Sequence, residues 1–175
     1  MTRLGIDDLE SLKQARLDGA AREELLESQL ECTFVFLNEE GWPSGVVMNY
    51  LRIDGTFWLT AVEGRAHVRA LAAEPRVTVV VSSAGSTLPG RRMVAFRGRA
   101  TVHRDLRSQG WLLDAFAEHF RPKDPAPFRA LLDSANRVAI EVEPVAVAVS
   151  HDHRKIPTAA ASVAPPADAE TRSRP

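Results

Sequence analysis

The chain has one cysteine, Cys32, in 175 residues. A lone cysteine excludes an internal disulfide and a cluster of thiolate metal ligands. Its expected place is a small buried position in a strand. No apolar run reaches the length of a membrane span. The N-terminal "MTRLGIDDLESLKQ" lacks the apolar core of a secretion signal. Neither charge dominates: 22 Lys and Arg stand against 23 Asp and Glu, for a net charge of −1. That balance argues against a dedicated nucleic-acid binder, which carries a basic excess or face. There is no Gly-x-Gly-x-x-Gly, no P-loop, no Gly-x-Ser-x-Gly and no internal repeat. The expectation is a cytoplasmic protein with neither nucleic acid nor membrane as partner.

What is present suits one domain with a sizeable core: 45% hydrophobic and 26% charged residues. Leu9, Leu12, Leu17, Leu25, Leu26 and Leu30 recur at helical spacing over residues 7–30, with Gly19 dividing two helices and Asp7 or Asp8 capping the first. Residues 1–30 thus read as a helical segment packed on the rest of the domain. "CTFVFLNEEG" reads as a strand and turn, and "PSGVVMNYLRI" as a second strand led by Pro43. "DGT" at Asp54 to Thr56 is a hairpin turn. In "TFWLTAV", Phe57, Leu59 and Ala61 share one face, Trp58, Thr60 and Val62 the other. A helix from Gly64 to Glu74 and the strand "RVTVVVSS" come next.

After a polar loop, Val94, Phe96, Gly98, Ala100 and Val102 alternate with Arg97, Arg99, Thr101 and His103, as in a strand buried on one face. An amphipathic helix over 105–120 carries Leu106, Leu113, Phe116 and Phe120 on one stripe. "RPKDPAP" breaks it, and Phe128 to Ala135 reads as a shorter helix. In the last strand, "RVAIEVEPVAVAVS", the apolar parity is even at Val138, Ile140 and Val142 and odd at Val145, Val147 and Val149. The slip at Pro144 predicts a bulge. Residues 157–175 are Ala/Pro/Ser-rich and aperiodic, which predicts a disordered tail. The fold class is mainly β with flanking helices: a six-stranded antiparallel barrel over 31–156. A doubly wound sheet would need a βαβ alternation that is absent.

Arg65, His67 and Arg69 fall in the first turns of the Gly64–Glu74 helix. A helix N-terminus is already positive and attracts phosphate or carboxylate. Added cations there slightly oppose the dipole, so stability is a poor reason for them. One reading is a phosphate held by Arg65 and His67 with Thr60 at the preceding strand end. The other is a solvated surface in which Glu63 and Glu74 balance the arginines.

The stretch "NEEGWPSGVVMNYLRIDGTFWLTAVEGRAHVRALAAEPRVTVVV", and the segment from Glu31 to Val102 that contains it, resembles the pyridoxamine 5'-phosphate oxidase-like family of flavin-binding split β-barrels. "EPVAVAVSHDHRK" resembles that family's last strand. The ordered series carries the resemblance, not any single motif. It implies a homodimer of split barrels with FMN at the dimer interface. By position, the ring-contacting strand is Val46, Val47, Met48, Asn49 and Tyr50, and the strand end is Thr60 and Ala61. Arg65 and His67 form the phosphate group. The partner reaches across with Arg91, Arg92 and Met93, Arg92 joining the phosphate group. His151 lies at the C-terminal end of the pocket.

The chain departs from the family pattern in four places. Arg65-Ala66-His67 replaces a Ser-Arg-Lys type start, so a histidine stands for the gripping lysine. Gly45, Met93 and His151 replace an arginine, a glutamine and a tryptophan of the vitamin-B6 oxidases. These losses argue against a true pyridoxamine 5'-phosphate oxidase. The resemblance still implies an FMN-dependent oxidoreductase acting on a small molecule through the flavin, with no catalytic side chain of its own. A deazaflavin coenzyme on the same fold, giving a reductase, is the alternative. A non-catalytic flavin- or haem-binding protein is a third reading. His151-x-His153 has the spacing of some metal pairs, but Arg154 and Lys155 would repel a cation, and no metal site is expected.

Overall fold

The computed structural model describes residues 13–156, the side chains of Leu106 and Ser108 apart. The first helix with its caps Asp7 or Asp8, the stripe position Leu106 and the tail 157–175 lie outside what it describes. The order is α1 (Gly19–Ser28), β1 (Glu31–Leu37), β2 (Pro43–Asn49), β3 (Leu51–Ile53), β4 (Thr56–Val62), α2 (Ala66–Ala70), β5 (Arg76–Ser82), β6 (Arg92–His103), α3 (Leu106–Phe120), α4 (Pro125–Leu132) and β7 (Arg137–Asp152). A 3-10 turn at His153–Lys155 comes after β7.

The strands form one antiparallel sheet in the order β2-β1-β5-β6-β7-β4-β3. β2 and β3 sit at opposite edges, yet Tyr50 alone separates them in the chain. The stretch predicted as one strand therefore pairs with β1 through its first half and with β4 through its second. This crossing curls the sheet into a half-barrel, and the break at Tyr50 makes seven strands of the expected six. Asp54 and Gly55 both adopt positive φ, the conformation that a two-residue Asp-Gly hairpin demands.

Alternation puts Phe34, Phe57, Leu59, Val79, Val81, Val94 and Ile140 fully inside. Phe57 packs on Tyr50 and Phe96 with ring centroids 5.4 and 5.2 Å apart. The barrel interior is thus filled with side chains, and a ligand has to bind outside it. Cys32 is buried as expected, and burial pushes its thiol up to about 12. Asp18 caps α1 by accepting from the Ala21 N–H at 2.9 Å. α1 is tied to the barrel by the buried Tyr50 hydroxyl, which donates to the Leu26 carbonyl at 2.8 Å.

Two helix boundaries differ from the sequence reading. α2 spans only five residues, because the chain leaves the helix in tight turns before Pro75. α4 begins at Pro125 rather than Phe128: proline's fixed φ and missing N–H suit a first helical turn. The predicted slip in β7 is present and double. Between Pro144 and Val149, the pairing with β6 skips Val145 and Ala148. Gly98 faces this bulge. A Cβ there would lie 2.7 Å from Val142 Cγ1 and 2.9 Å from the Glu143 carbonyl oxygen. Backbone cannot yield as a flexible side chain does, so Gly98→Ala is expected to destabilise the fold by about 1–3 kcal/mol in urea unfolding. An unchanged midpoint would mean that the bulge is free to move.

Candidate functional site

β2 pairs only with β1, and Leu59–Val62 of β4 pair only with β7. The two strands therefore face each other across a split with free backbone edges. A cavity of about 510 Å³ occupies it. Val46, Val47 and Met48 form one wall, and Thr60 and Ala61 form the other. Arg65 and His67 lie where β4 turns into α2. The sequence-based site residues of these three segments are thus brought together. Free strand edges can hydrogen-bond the rim of a flat heterocycle, and the valines and Met48 supply an apolar floor.

Asn49 and Tyr50, expected to extend the same wall, do not line the cavity. Strand alternation and the break at Tyr50 explain this: the Tyr50 ring turns into the interior, and the Asn49 amide donates to the Leu30 carbonyl at 3.3 Å. Arg92, which the resemblance assigns to the partner's side of the site, is 1% exposed, its guanidinium binds Glu24 at 2.5 Å, and it lies outside its own chain's cavity. Met93 and His151 face each other across β6 and β7. They lie 14 residues along β7 from Arg137, the residue through which that strand meets the cavity. Within one chain they do not reach it.

Arg137 is the residue that the sequence reading missed. The β4–β7 pairing sets it opposite Val62, and it lines the cavity beside Arg65 and His67. Its Nε donates to the Leu132 carbonyl at 2.8 Å, which fixes the guanidinium and leaves the terminal nitrogens for a ligand. Burial first, then Arg65, push Arg137 below the usual guanidinium range.

The site gathers positive charge without acid to balance it. Among the described residues, no carboxylate lines the cavity. The acids proposed as balances are engaged elsewhere: Glu63 holds Arg104 at 2.8 Å and Glu74 holds Arg76 at 2.5 Å. Arg69 is paired with Glu39 at 3.2 Å. Among the described residues, no acid pairs with Arg65. The surface reading thus fits Arg69 with its acid partner, while Arg65 is exposed at the cavity rim with no such pairing. α2 is too short for its dipole to matter much, so the side chains carry the electrostatics.

His67 is 8% exposed and packs edge-on against Phe34 and Phe36, with centroids 6.2 and 5.9 Å away. Its Nε2 is buried without a hydrogen-bond partner. Burial, then Arg65, hold its pKa below the ordinary imidazole value. A buried polar atom left unpaired is costly, and a ligand that reaches it removes that cost. The unfolded chain binds a proton at His67 that the folded chain resists. Stability is therefore expected to fall as pH drops through about 6.5 toward the lowered native value, by at most about 1.4 kcal/mol per pH unit. Unfolding of wild type and His67→Gln at pH 7.5 and 5.5 checks this: the variant should lose less.

Farther back along β4, Trp58 packs on Trp111 at 4.8 Å and on His103 at 5.7 Å, and His103 Nε2 lies 2.7 Å from Glu141. Trp58 thus borders α3 and not the cavity. Among the described residues, no helix is long and apolar enough to cross a membrane.

A family model described as pyridoxamine 5'-phosphate oxidase matches residues 17–151. No curated protein matches the chain. Among solved structures, the conserved hypothetical protein Rv2991 from Mycobacterium tuberculosis superposes with TM-score 0.69 at 22% identity, over 81% of this chain and 89% of that one. HutZ, the heme storage protein from Vibrio cholerae, gives TM-score 0.63 at 13% identity, over 78% and 97%. An F420 reductase gives 0.52 at 21%, over 72% and 94%. These identities carry the fold alone. The family match spans the barrel, the split and the strand that bears Arg137, and on it the chain belongs to the pyridoxamine 5'-phosphate oxidase family.

Proposed function

We propose that the chain binds a flavin-type cofactor, FMN in the first instance, in the split between β2 and β4 and serves as an oxidoreductase for a small molecule. The observation that carries the reading is the acid-free cavity in which Arg65, Arg137 and the orphaned His67 Nε2 meet beside two unpaired strand edges. That donor set suits a phosphate joined to a flat ring. When bound, the flavin supplies the hydride and electron chemistry. The chain's part is to seat it. Arg65 and Arg137 take the anion, His67 Nε2 gains a hydrogen-bond partner, and the β2 and β4 edges align the ring. Val46 and Met48 keep water from one of its faces.

A second copy of the chain completes this reading. Residues 143–149 of β7 are exposed on both faces, and their sequence is Glu-Pro-Val-Ala-Val-Ala-Val. Beyond Val142 this strand pairs with β6 alone, so its other edge is free. Such an apolar strand arm is an association surface. A row of cross-strand partners, Val47, Thr33, Val80, Ala95 and Val149, runs from the cavity to the arm, with Ala95 buried among them. A homodimer across this face would bring Met93 and His151 of each chain toward the other's cavity.

The test is the visible absorption spectrum of the purified protein and of the supernatant after heat denaturation. A flavin spectrum with FMN released supports the reading. A protein that neither carries nor takes up FMN or a deazaflavin overturns it, and a Soret band would give the site to haem.

A further inference from the structure

β3 is the last strand of the sheet, and no strand pairs with its outer side. The two-residue turn at Asp54 and Gly55 makes Ile53 and Thr56 a hydrogen-bonded pair, so the next pair, Arg52 and Phe57, is a non-bonded one. The Arg52 N–H and carbonyl therefore turn away from β4, toward the open side. A cavity of about 590 Å³ lies along β3. α1 and α3 stand on opposite faces of the strand: the Arg52 side chain binds Glu23 of α1, while Leu51 packs with Leu112 and Phe116 of α3. The helices shield the edge from open-ended strand pairing, yet leave a slot between them.

The floor of the slot is apolar, with Leu26, Leu51, Ile53 and Ala115. Its rim is acidic. Glu27 of α1 and Glu118 of α3 line it, both exposed, and among the described residues neither has an ion-pair partner. Arg52 does not offset them, because Glu23 holds it. His119 completes the rim, its ring edge-on against Phe120. None of these residues lines the split between β2 and β4.

We propose that this slot takes a short extended segment of a partner protein that carries two consecutive basic residues. The segment lies as a strand beside β3 and exchanges hydrogen bonds with the Arg52 backbone. Successive side chains of a strand point to opposite faces. Adjacent lysines or arginines therefore reach Glu27 on one side and Glu118 on the other. A basic-x-basic segment puts both cations on one face and leaves one carboxylate unmet. β3 has three residues, so the match is short and the contact reads charge pattern rather than length. The chain's own Arg172-Ser173-Arg174 has the spaced pattern. The proposal is independent of the cofactor reading.

The experiment is a titration of fluorescein-labelled peptides with the full chain, read by fluorescence anisotropy at about 0.1 M salt. The probes are Ser-Val-Lys-Lys-Val-Ser, its spaced isomer Ser-Lys-Val-Lys-Val-Ser, the Glu-Glu counterpart of the first, and Thr-Arg-Ser-Arg-Pro. The Lys-Lys peptide should bind saturably and the Glu-Glu peptide should not. The spaced isomer should bind about fivefold more weakly, the worth of one exposed ion pair. Glu27→Gln and Glu118→Gln, both surface changes, should each remove the preference for adjacent lysines. N-methylation of one or the other lysine amide should weaken binding by about tenfold or more, because the strand edge needs that N–H. No saturable binding of the Lys-Lys peptide by about 1 mM overturns the proposal. Equal binding of the spaced isomer overturns it, and tighter binding of Thr-Arg-Ser-Arg-Pro would give the slot to this chain's own residues instead. Indifference to both N-methylations overturns it too, since the peptide would then meet an acidic surface and no strand edge.

Discussion

Replacing Arg65 and His67 together by alanine is expected to weaken FMN binding by about a hundredfold or more, enough for the cofactor to be lost on purification. Each of the two gives up a hydrogen bond to a charged group, worth about 1.5–3 kcal/mol. Arg65 should account for most of the loss, because His67 is neutral before the ligand arrives. Flavin titration of both single variants and the double variant measures the shares. The Phe34 and Phe36 rings lose a neighbour in His67→Ala, so His67→Gln controls for packing. Retention of FMN by a folded double variant would remove the phosphate from this end of the split.

Val147→Asp with Val149→Asp is expected to turn a dimer into a monomer at micromolar concentration. Both valines lie on the exposed apolar arm of β7. Burying two carboxylates against a second copy of the same face, without partners, should raise the dimer dissociation constant by about a thousandfold or more. The folded monomer should tolerate the change, since these positions face solvent in a single chain. Light scattering after gel filtration reads the mass, and flavin titration should show weaker binding in step. A variant that remains dimeric would locate the interface on another face.

The strand alternations were legible because each strand buries one face. Phe57, Leu59 and Ala61 are all inside, as their spacing says. The bulge in β7 was legible for the same reason, since a slip of one residue reverses which side is apolar. The cavity wall was legible only through the resemblance: no local pattern distinguishes Val46 and Met48 from any other β-branched or apolar pair. Tyr50 was misplaced because a strand that leaves one edge of the sheet for the other must break, and the break turned its ring inward. Arg137 was invisible because nothing in "NRVAIEV" separates it from an ordinary polar strand start. Its meaning comes from standing opposite Val62, a tertiary fact. Arg92 read as a phosphate contact through the resemblance, and a sequence does not show Glu24 arriving beside it from α1.

The position of β7 between β6 and β4 has a consequence for biosynthesis. Phe57 finds its partner in Val142, and Leu59 finds its in Ile140. A nascent chain that has emerged only as far as α4 holds two unfinished pieces, the β2-β1-β5-β6 sheet and the β3–β4 hairpin, each with an unpaired edge. Neither can join the other until β7 emerges, because β7 alone lies between β6 and β4. Pairings this remote in sequence close slowly and leave hydrophobic edges open in the interval. The same strand brings Arg137 to the split and carries the apolar arm. Emergence of β7 therefore completes the barrel and the wall of the split together, and a chain truncated before Arg137 has neither.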